Sequence, residues 1–211
     1  AWNGENGTLV GGFPFYDHFG LGSTPAIADV DGDGTDDVIV HSDADRYYAL
    51  RGNGSVIKAW GHVSMIRGNG YGTHPVAADV NGDGKNEILM TTWVNPDFTN
   101  PEHTRGLHLF DSYGEWMAGT PLEFLPAYDS EIANQYHTYG PELTPAVVDV
   151  DGDGTPEIIT PATDKKLHFL QWNGATFSER AGWPRSLGDF MGSEAVVADV
   201  DGDAEPEIIL A

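Results

Sequence analysis

The sequence predicts an all-β fold built of β-propeller blades, each of four antiparallel strands, in about four repeats. Three observations predict it. Short apolar runs rich in Val, Ile and aromatic residues alternate with turn residues, and 27 glycines and 13 prolines are spread along the 211 residues. That composition argues against long helices. Finally, one acidic nine-residue segment recurs four times in a regular frame.

The repeated segments are Asp29-Val-Asp-Gly-Asp-Gly-Thr-Asp-Asp37, Asp79-Val-Asn-Gly-Asp-Gly-Lys-Asn-Glu87, Asp149-Val-Asp-Gly-Asp-Gly-Thr-Pro-Glu157 and Asp199-Val-Asp-Gly-Asp-Ala-Glu-Pro-Glu207. Their first aspartates are 50, 70 and 50 residues apart. A turn glycine keeps the same frame. Gly4, Gly54 and Gly174 each precede the next segment by 25 residues, whereas Gly114 precedes it by 35, so the second interval carries ten extra residues on each side of Gly114. Asn-Gly before three of these glycines predicts a type I′ hairpin turn, in which both residues take positive φ.

Each unit then reads as strand, acidic loop, strand, strand, turn, strand. The first strands are Pro25–Val30, Pro75–Val80, Pro145–Val150 and Ala195–Val200, and the second are Val38–Val40, Ile88–Met90, Ile158–Thr160 and Ile208–Leu210. The third are Tyr47–Leu50, Leu107–Phe110 and Leu167–Leu170, and the fourth are Ser55–Trp60, Glu115–Ala118 and Ala175–Arg180. Residues 1–211 thus form a single array: 1–20 the end of a split blade, 21–72 a blade, 73–142 a blade with insertions, 143–190 a blade and 191–211 the start of the split blade. A parallel β-helix has shorter repeats, and a sandwich has no reason to keep this frame. Ala1 aligns with Gln171 and Ala211 with Pro161, so the split blade lacks its third strand. Part of a larger propeller is therefore expected, with the remaining blades supplied by a longer chain or a second copy. The start at Ala1 points the same way, to a processed or excised piece.

The acidic segment has the donor pattern of a hard-cation loop. Asp or Asn at positions 1, 3 and 5, a carbonyl at 7 and a carboxylate at 9 set oxygens around one point, and glycine at position 6 permits a sharp bend. Calcium fits this set, whereas softer metals favour His or Cys, which none of the loops contains. An isolated Asp-Gly is usually only a solvated turn; four aligned copies are not.

These segments resemble the calcium loops of FG-GAP repeats, as in the integrin α-subunit propeller. The leads Pro25-Ala-Ile-Ala-Asp-Val30 and Pro145-Ala-Val-Val-Asp-Val150 are similar to VCBS repeats of bacterial secreted proteins. The resemblance covers nearly the whole chain. It implies an extracellular propeller of about seven blades, with up to four structural Ca2+ ions. The side-chain ligands it implies are Asp29, Asp31, Asp33 and Asp37; Asp79, Asn81, Asp83 and Glu87; Asp149, Asp151, Asp153 and Glu157; and Asp199, Asp201, Asp203 and Glu207. Carbonyl ligands would come from Thr35, Lys85, Thr155 and Glu205. Two departures stand out, Asn81 for an aspartate and Ala204 for the position-6 glycine.

The rest of the sequence narrows the function. With 33 acidic against 10 basic residues, the chain repels nucleic acid and anionic lipid. It has no cysteine for disulfides or thiolate sites, and no apolar run long enough to span a membrane. Fingerprints of zinc-dependent hydrolysis, the nucleophile elbow, the P-loop and dinucleotide binding are absent. The eight histidines stand singly and read as surface or hydrogen-bonded loop residues. Phe13 and Trp183, each in a Gly-x-Pro, read as packing between blades. Aromatics gather in the insertion-bearing unit (Trp93, Phe98, Tyr113, Trp116, Phe124, Tyr128, Tyr136, Tyr139), and its insertions, Asn95–Arg105 and Leu122–Tyr139, are the expected ligand-contacting loops. Trp116, on a strand, reads as packing. The expected function is a non-catalytic recognition or adhesion module for a glycan or extracellular protein. The alternatives are an architectural or assembly segment, and an accessory domain of a secreted polysaccharide lyase or protease.

Overall fold

A computed structural model describes residues 1–17, 23–42, 46–59, 71–72, 74–93, 106–120, 122, 143–162, 164–188 and 193–210. Within them the regular structure is entirely β, in four antiparallel sheets that follow the sequence frame. The first sheet orders β1 (Ala26–Ala28), β2 (Asp37–Ser42), β3 (Arg46–Leu50) and β4 (Val56–Ala59) as they occur in the chain. The second sets β6 (Val76–Ala78) and β8 (Gly106–Phe110) against β7 (Glu87–Trp93), with β5 (Tyr71–Gly72) also paired to β7, at its Thr92–Trp93 end. In the third, β9 (Ala146–Val148), β10 (Glu157–Pro161), β11 (Lys166–Trp172) and β12 (Phe177–Glu179) lie in order, and β13 (Arg185–Ser186) extends the edge of β11. The fourth contains β14 (Val196–Ala198) and β15 (Glu207–Ile209).

The register repeats with the sequence. Ile27 pairs with Val38, Ala77 with Ile88, Val147 with Ile158 and Val197 with Ile208. Each acidic segment is therefore the hairpin connection between the first two strands of its sheet.

The uninterrupted apolar runs of the second strands arise because both faces of each complete sheet are covered. Ile39, Tyr47 and Ala49 of the first sheet pack against Ile88, Met90 and Phe110 of the second. From the other face of the second sheet, Leu89, Leu107 and Leu109 meet Ile158, Leu170 and Phe177 of the third. Ile159, Leu167 and Phe169 then meet Ala195, Val197 and Ile208 of the fourth. The outer face of the first sheet is covered by Phe13 and Phe15. Trp183 packs likewise, its ring 5.2 Å from that of Phe169. Successive sheets stacked face to face in this way are the arrangement of propeller blades; the described strands do not close a ring.

Four expectations are corrected. The Asn-Gly turns at Gly54 and Gly174 are not type I′, because the glycine alone takes positive φ; Gly54 N donates to Arg51 O, and the same turn recurs at Gly114, where Gly114 N donates to Asp111 O. This is a three-residue turn with the glycine in the bulge, and the pairing of β3 with β4 shifts register again at Ala49/Leu50. Gly4 is not the turn glycine of its hairpin. Trp2 pairs with Leu9 across a longer loop in which Gly7 takes positive φ. Glu115–Ala118 forms no strand. Its chain bridges at Phe110–Trp116, turns where Thr120 N donates to Met117 O, and returns at Leu122 to share the edge of β8. Lastly, His41, His108 and His168 are not surface or loop residues but lie buried on β2, β8 and β11.

Candidate metal centre

Each acidic loop is held by the same set of bonds. The position-1 aspartate accepts from the backbone N–H of positions 4 and 6: Asp29 from Gly32 and Gly34 at 2.8 Å each, and Asp79 from Gly82 and Gly84 at 2.8 Å each. Asp149 accepts from Gly152 and Gly154 at 2.7 and 2.9 Å, and Asp199 from Gly202 and Ala204 at 2.6 and 2.9 Å. Position 5 caps position 7, since Asp33, Asp83, Asp153 and Asp203 accept from the N–H of Thr35, Lys85, Thr155 and Glu205. Position 9 reaches back to the N–H of position 2: Asp37 to Val30, Glu87 to Val80, Glu157 to Val150 and Glu207 to Val200. The position-6 residue takes positive φ in all four loops, 83° at Gly34, 85° at Gly84, 92° at Gly154 and 72° at Ala204. The bend expected of this position is thus present even where alanine occupies it.

These bonds converge carboxylates. One oxygen from each of Asp29, Asp31 and Asp33 lies within 4.8 Å of the others, as do those of Asp149, Asp151 and Glu157 and of Asp199, Asp201 and Asp203. Asp37, Asp153 and Glu207 stand outside these trios. In the second loop no such trio of carboxylates gathers among the described residues. There the third position is Asn81, whose amide donates to Glu87 at 3.1 Å.

The donor chemistry fits a hard divalent cation. Every converging side-chain group is an oxygen donor, and three of the position-9 carboxylates, Asp37, Glu87 and Glu157, are buried and awkward as bare anions. Burial pushes the Glu87 carboxyl up to about 7 and raises those of Asp37 and Glu157. Neighbouring loop aspartates add to each rise. A cation among these groups removes both penalties at once.

Features without a signature in the linear pattern surround the loops. Arg51, in the turn after β3, places Nη2 2.5 Å from Asp31 Oδ2, and Arg180, just beyond β12, places Nη2 3.5 Å from Asp151 Oδ2. Neither arginine is near its aspartate in sequence, so no spacing rule finds them. Asn86 Nδ2 donates to the Asp29 carbonyl, joining the second loop to the first. Thr24 N donates to His74 Nδ1, and Glu194 accepts from Thr144 N, at equivalent places between sheets.

Of the aromatics in the insertion-bearing unit, Tyr113 is exposed and its hydroxyl lies 3.3 Å from Lys85 Nζ, while Trp116 packs on Phe110 and His108. Burial holds the His108 imidazole down at about 3, so it stays neutral. The side chain of Trp93, together with Phe98, Phe124, Tyr128, Tyr136 and Tyr139, lies outside the described residues, as do both insertions apart from Leu122.

Comparison with known proteins agrees with this architecture. No curated protein sequence matches significantly. Among solved structures, the exotype rhamnogalacturonan lyase YesX superposes with a TM-score of 0.64 at 19% identity, over 90% of this chain and 38% of its own. A Bacillus licheniformis rhamnogalacturonan lyase, PL11, gives 0.61 at 20% identity over 90% and 40%, and the rhamnogalacturonan lyase YesW gives 0.59 at 21% over 90% and 40%. The chain therefore spans about two fifths of the length of these structures, and at such identity the likeness speaks to fold. The model of the FG-GAP-like repeat matches residues 29–90 and 149–210, each stretch running from one acidic loop through the next and its following strand. With more than half of its residues in those two stretches, the chain belongs to the FG-GAP-like repeat family.

Proposed function

We propose that the protein is a calcium-binding, non-catalytic propeller segment that works outside the cell and presents its loops to a glycan or protein ligand. The observation that carries the calcium reading is the recurrence of one oxygen-rich hairpin loop four times, with its position-9 carboxylate buried in three of them. Calcium would be held by positions 1, 3, 5 and 9 and the carbonyl of position 7, that is by Asp29 to Asp37, Asp79 to Glu87, Asp149 to Glu157 and Asp199 to Glu207. Such an ion would tie the first two strands of a blade together and neutralise carboxylates that otherwise repel. The largely exposed loops suit the higher free calcium of an extracellular setting, as does the family.

A second reading has a specific observation behind it. Three rhamnogalacturonan lyases share the fold over 90% of this chain, which favours an accessory segment of a secreted, polysaccharide-acting protein. The two readings share the calcium sites and differ in what the rest of the polypeptide does.

Thermal melting in the presence of calcium and of excess chelator tests the common core. Four loops losing their counter-charge together predict a drop in Tm of many degrees, because ligand binding to the folded state alone stabilises by RT ln(1 + [L]/Kd). Equal midpoints in the two conditions would falsify the calcium reading. Binding of acidic oligosaccharides to the calcium-loaded chain separates glycan recognition from a purely architectural role.

A further inference from the structure

The arginines beside the first and third loops supply something the loop motif lacks, a cation of the protein's own. Asp31 and Asp151 occupy the same position of their loops, and each belongs to its loop's converging trio of carboxylates. Each also meets a guanidinium from the third-strand or fourth-strand side of its own blade. The two arginines arrive by different routes, Arg51 from the turn after β3 and Arg180 from the end of β12. The second and fourth loops differ. The second has the neutral Asn81 at this position, and among the described residues no arginine or lysine pairs with Asp201 of the fourth.

We infer that Arg51 and Arg180 are built-in counter-ions that compete with calcium for the position-3 aspartates of the first and third loops, and that loading the cation displaces them. This rests on the calcium reading above. The guanidinium of Arg51, hydrogen-bonded to Asp31, directs that carboxylate towards itself and occupies one of its oxygens, while Arg180 forms an ion pair with Asp151 at 3.5 Å. A divalent ion at the loop centre would also lie close enough to the guanidinium for the two positive charges to repel. Both effects favour exchange of one cation for the other over coexistence. Arg180 stays anchored when its ion pair with Asp151 breaks, because the same guanidinium also lies over the Phe169 ring, 4.9 Å from the centroid. The arrangement weakens calcium at two of the four loops while sparing the metal-free protein the repulsion of bare carboxylates there. Chemically, loading turns each internal salt link into a guanidinium released from its carboxylate beside a filled loop.

The test is calorimetric calcium titration of the intact chain and of its Arg51→Gln, Arg180→Gln and Arg51→Lys variants, at low and at high salt. Each glutamine variant is expected to tighten one binding event roughly two- to fivefold, the size a partly exposed ion pair commands. High salt should shrink the gain. Arg51→Lys, which keeps the charge without the planar fork, should fall between wild type and Arg51→Gln. In the wild type, the side-chain nitrogen resonances of Arg51 and Arg180 should shift as calcium is added. If calcium binds but the glutamine variants bind it equally or more weakly, the arginines do not compete and the inference fails alone. If the wild type binds no calcium, the calcium reading fails and takes the inference with it.

Discussion

At the scale of single residues, Ala204 is the clearest local conflict in the chain. Its φ of 72° lies in the left-handed region that glycine occupies in the other three loops. An L-residue there carries roughly 1 kcal/mol of strain, and replacing it with glycine returns some of that gain by loosening the unfolded chain. Ala204→Gly is therefore expected to stabilise by a few tenths of a kcal/mol up to about 1 kcal/mol and to tighten one calcium-binding event. Asn81→Asp restores a negative charge to the second loop and frees Glu87 from the Asn81 amide, so it should tighten another. Calorimetry resolving neither change would refute both expectations. The sequence was enough to expect both departures, because a position-6 alanine and a position-3 amide break a pattern visible in four aligned copies. It could not have revealed Arg51 and Arg180, whose partners are chosen by the approach of strands rather than by spacing.

The informative elements are the Gly-x-Pro segments that join one blade to the next. A methyl group on Gly12 would lie 1.6 Å from Asn53 O, and one on Gly54 would lie 2.3 Å from Gly12 O, so the N-terminal hairpin meets the first blade backbone to backbone. Gly119 repeats the contact against Thr176 Oγ1 of the third blade, again beside a turn between third and fourth strands. Gly12→Ala must push these backbones apart and should cost on the order of 2 kcal/mol, with faster hydrogen exchange confined to residues 1–15. Gly11→Ala, where nothing lies within 4 Å, serves as the control, and equal melting of the two variants would show that the joint contributes nothing. The recurrence of Gly-Phe-Pro and Gly-Trp-Pro was legible as packing. The third copy, Gly119-Thr120-Pro121, was not, because threonine hides the aromatic signature. The turn type was misread for a related reason: Asn-Gly allows two positive φ values, but the bulge after β3 needs only one. Glu115–Ala118 fails as a strand because its pairing with β8 is the single Phe110–Trp116 bridge, after which the chain turns at Met117–Thr120 and returns at Leu122.

Across the whole molecule, the sequence specified the blades so well because the second strands are buried on both faces, which forces continuous apolar runs in a fixed frame. Loops have no such constraint, and the insertion-bearing unit was correspondingly opaque. Leu122, the first residue of the expected second insertion, exchanges two backbone hydrogen bonds with Leu107 and packs in the core. A deletion meant to remove ligand contacts should thus begin at residue 123 and end at 139. That variant is expected to melt within a few degrees of wild type and to lose glycan or protein binding, while full binding would move the site elsewhere. Covering both faces of a sheet also leaves an imprint at the fourth sheet. Val200 is 62% exposed, whereas its counterparts Val30 and Val80 are 1% and 0% exposed.

The link from Asn86 to the Asp29 carbonyl gives the loops a property that none has alone. A backbone carbonyl of the first loop is fixed by a side chain of the second, and a methyl on Gly82 of the second would sit 3.5 Å from Thr155 Oγ1 of the third. Ordering one loop therefore lowers the entropy left for its neighbour to lose, which is cooperativity without a change of fold. Calcium uptake should be steeper than four independent sites of the same unequal affinities would give. Asn86→Ala, which cuts the first link and removes none of the assigned ligand groups, should bring the curve closer to simple saturation.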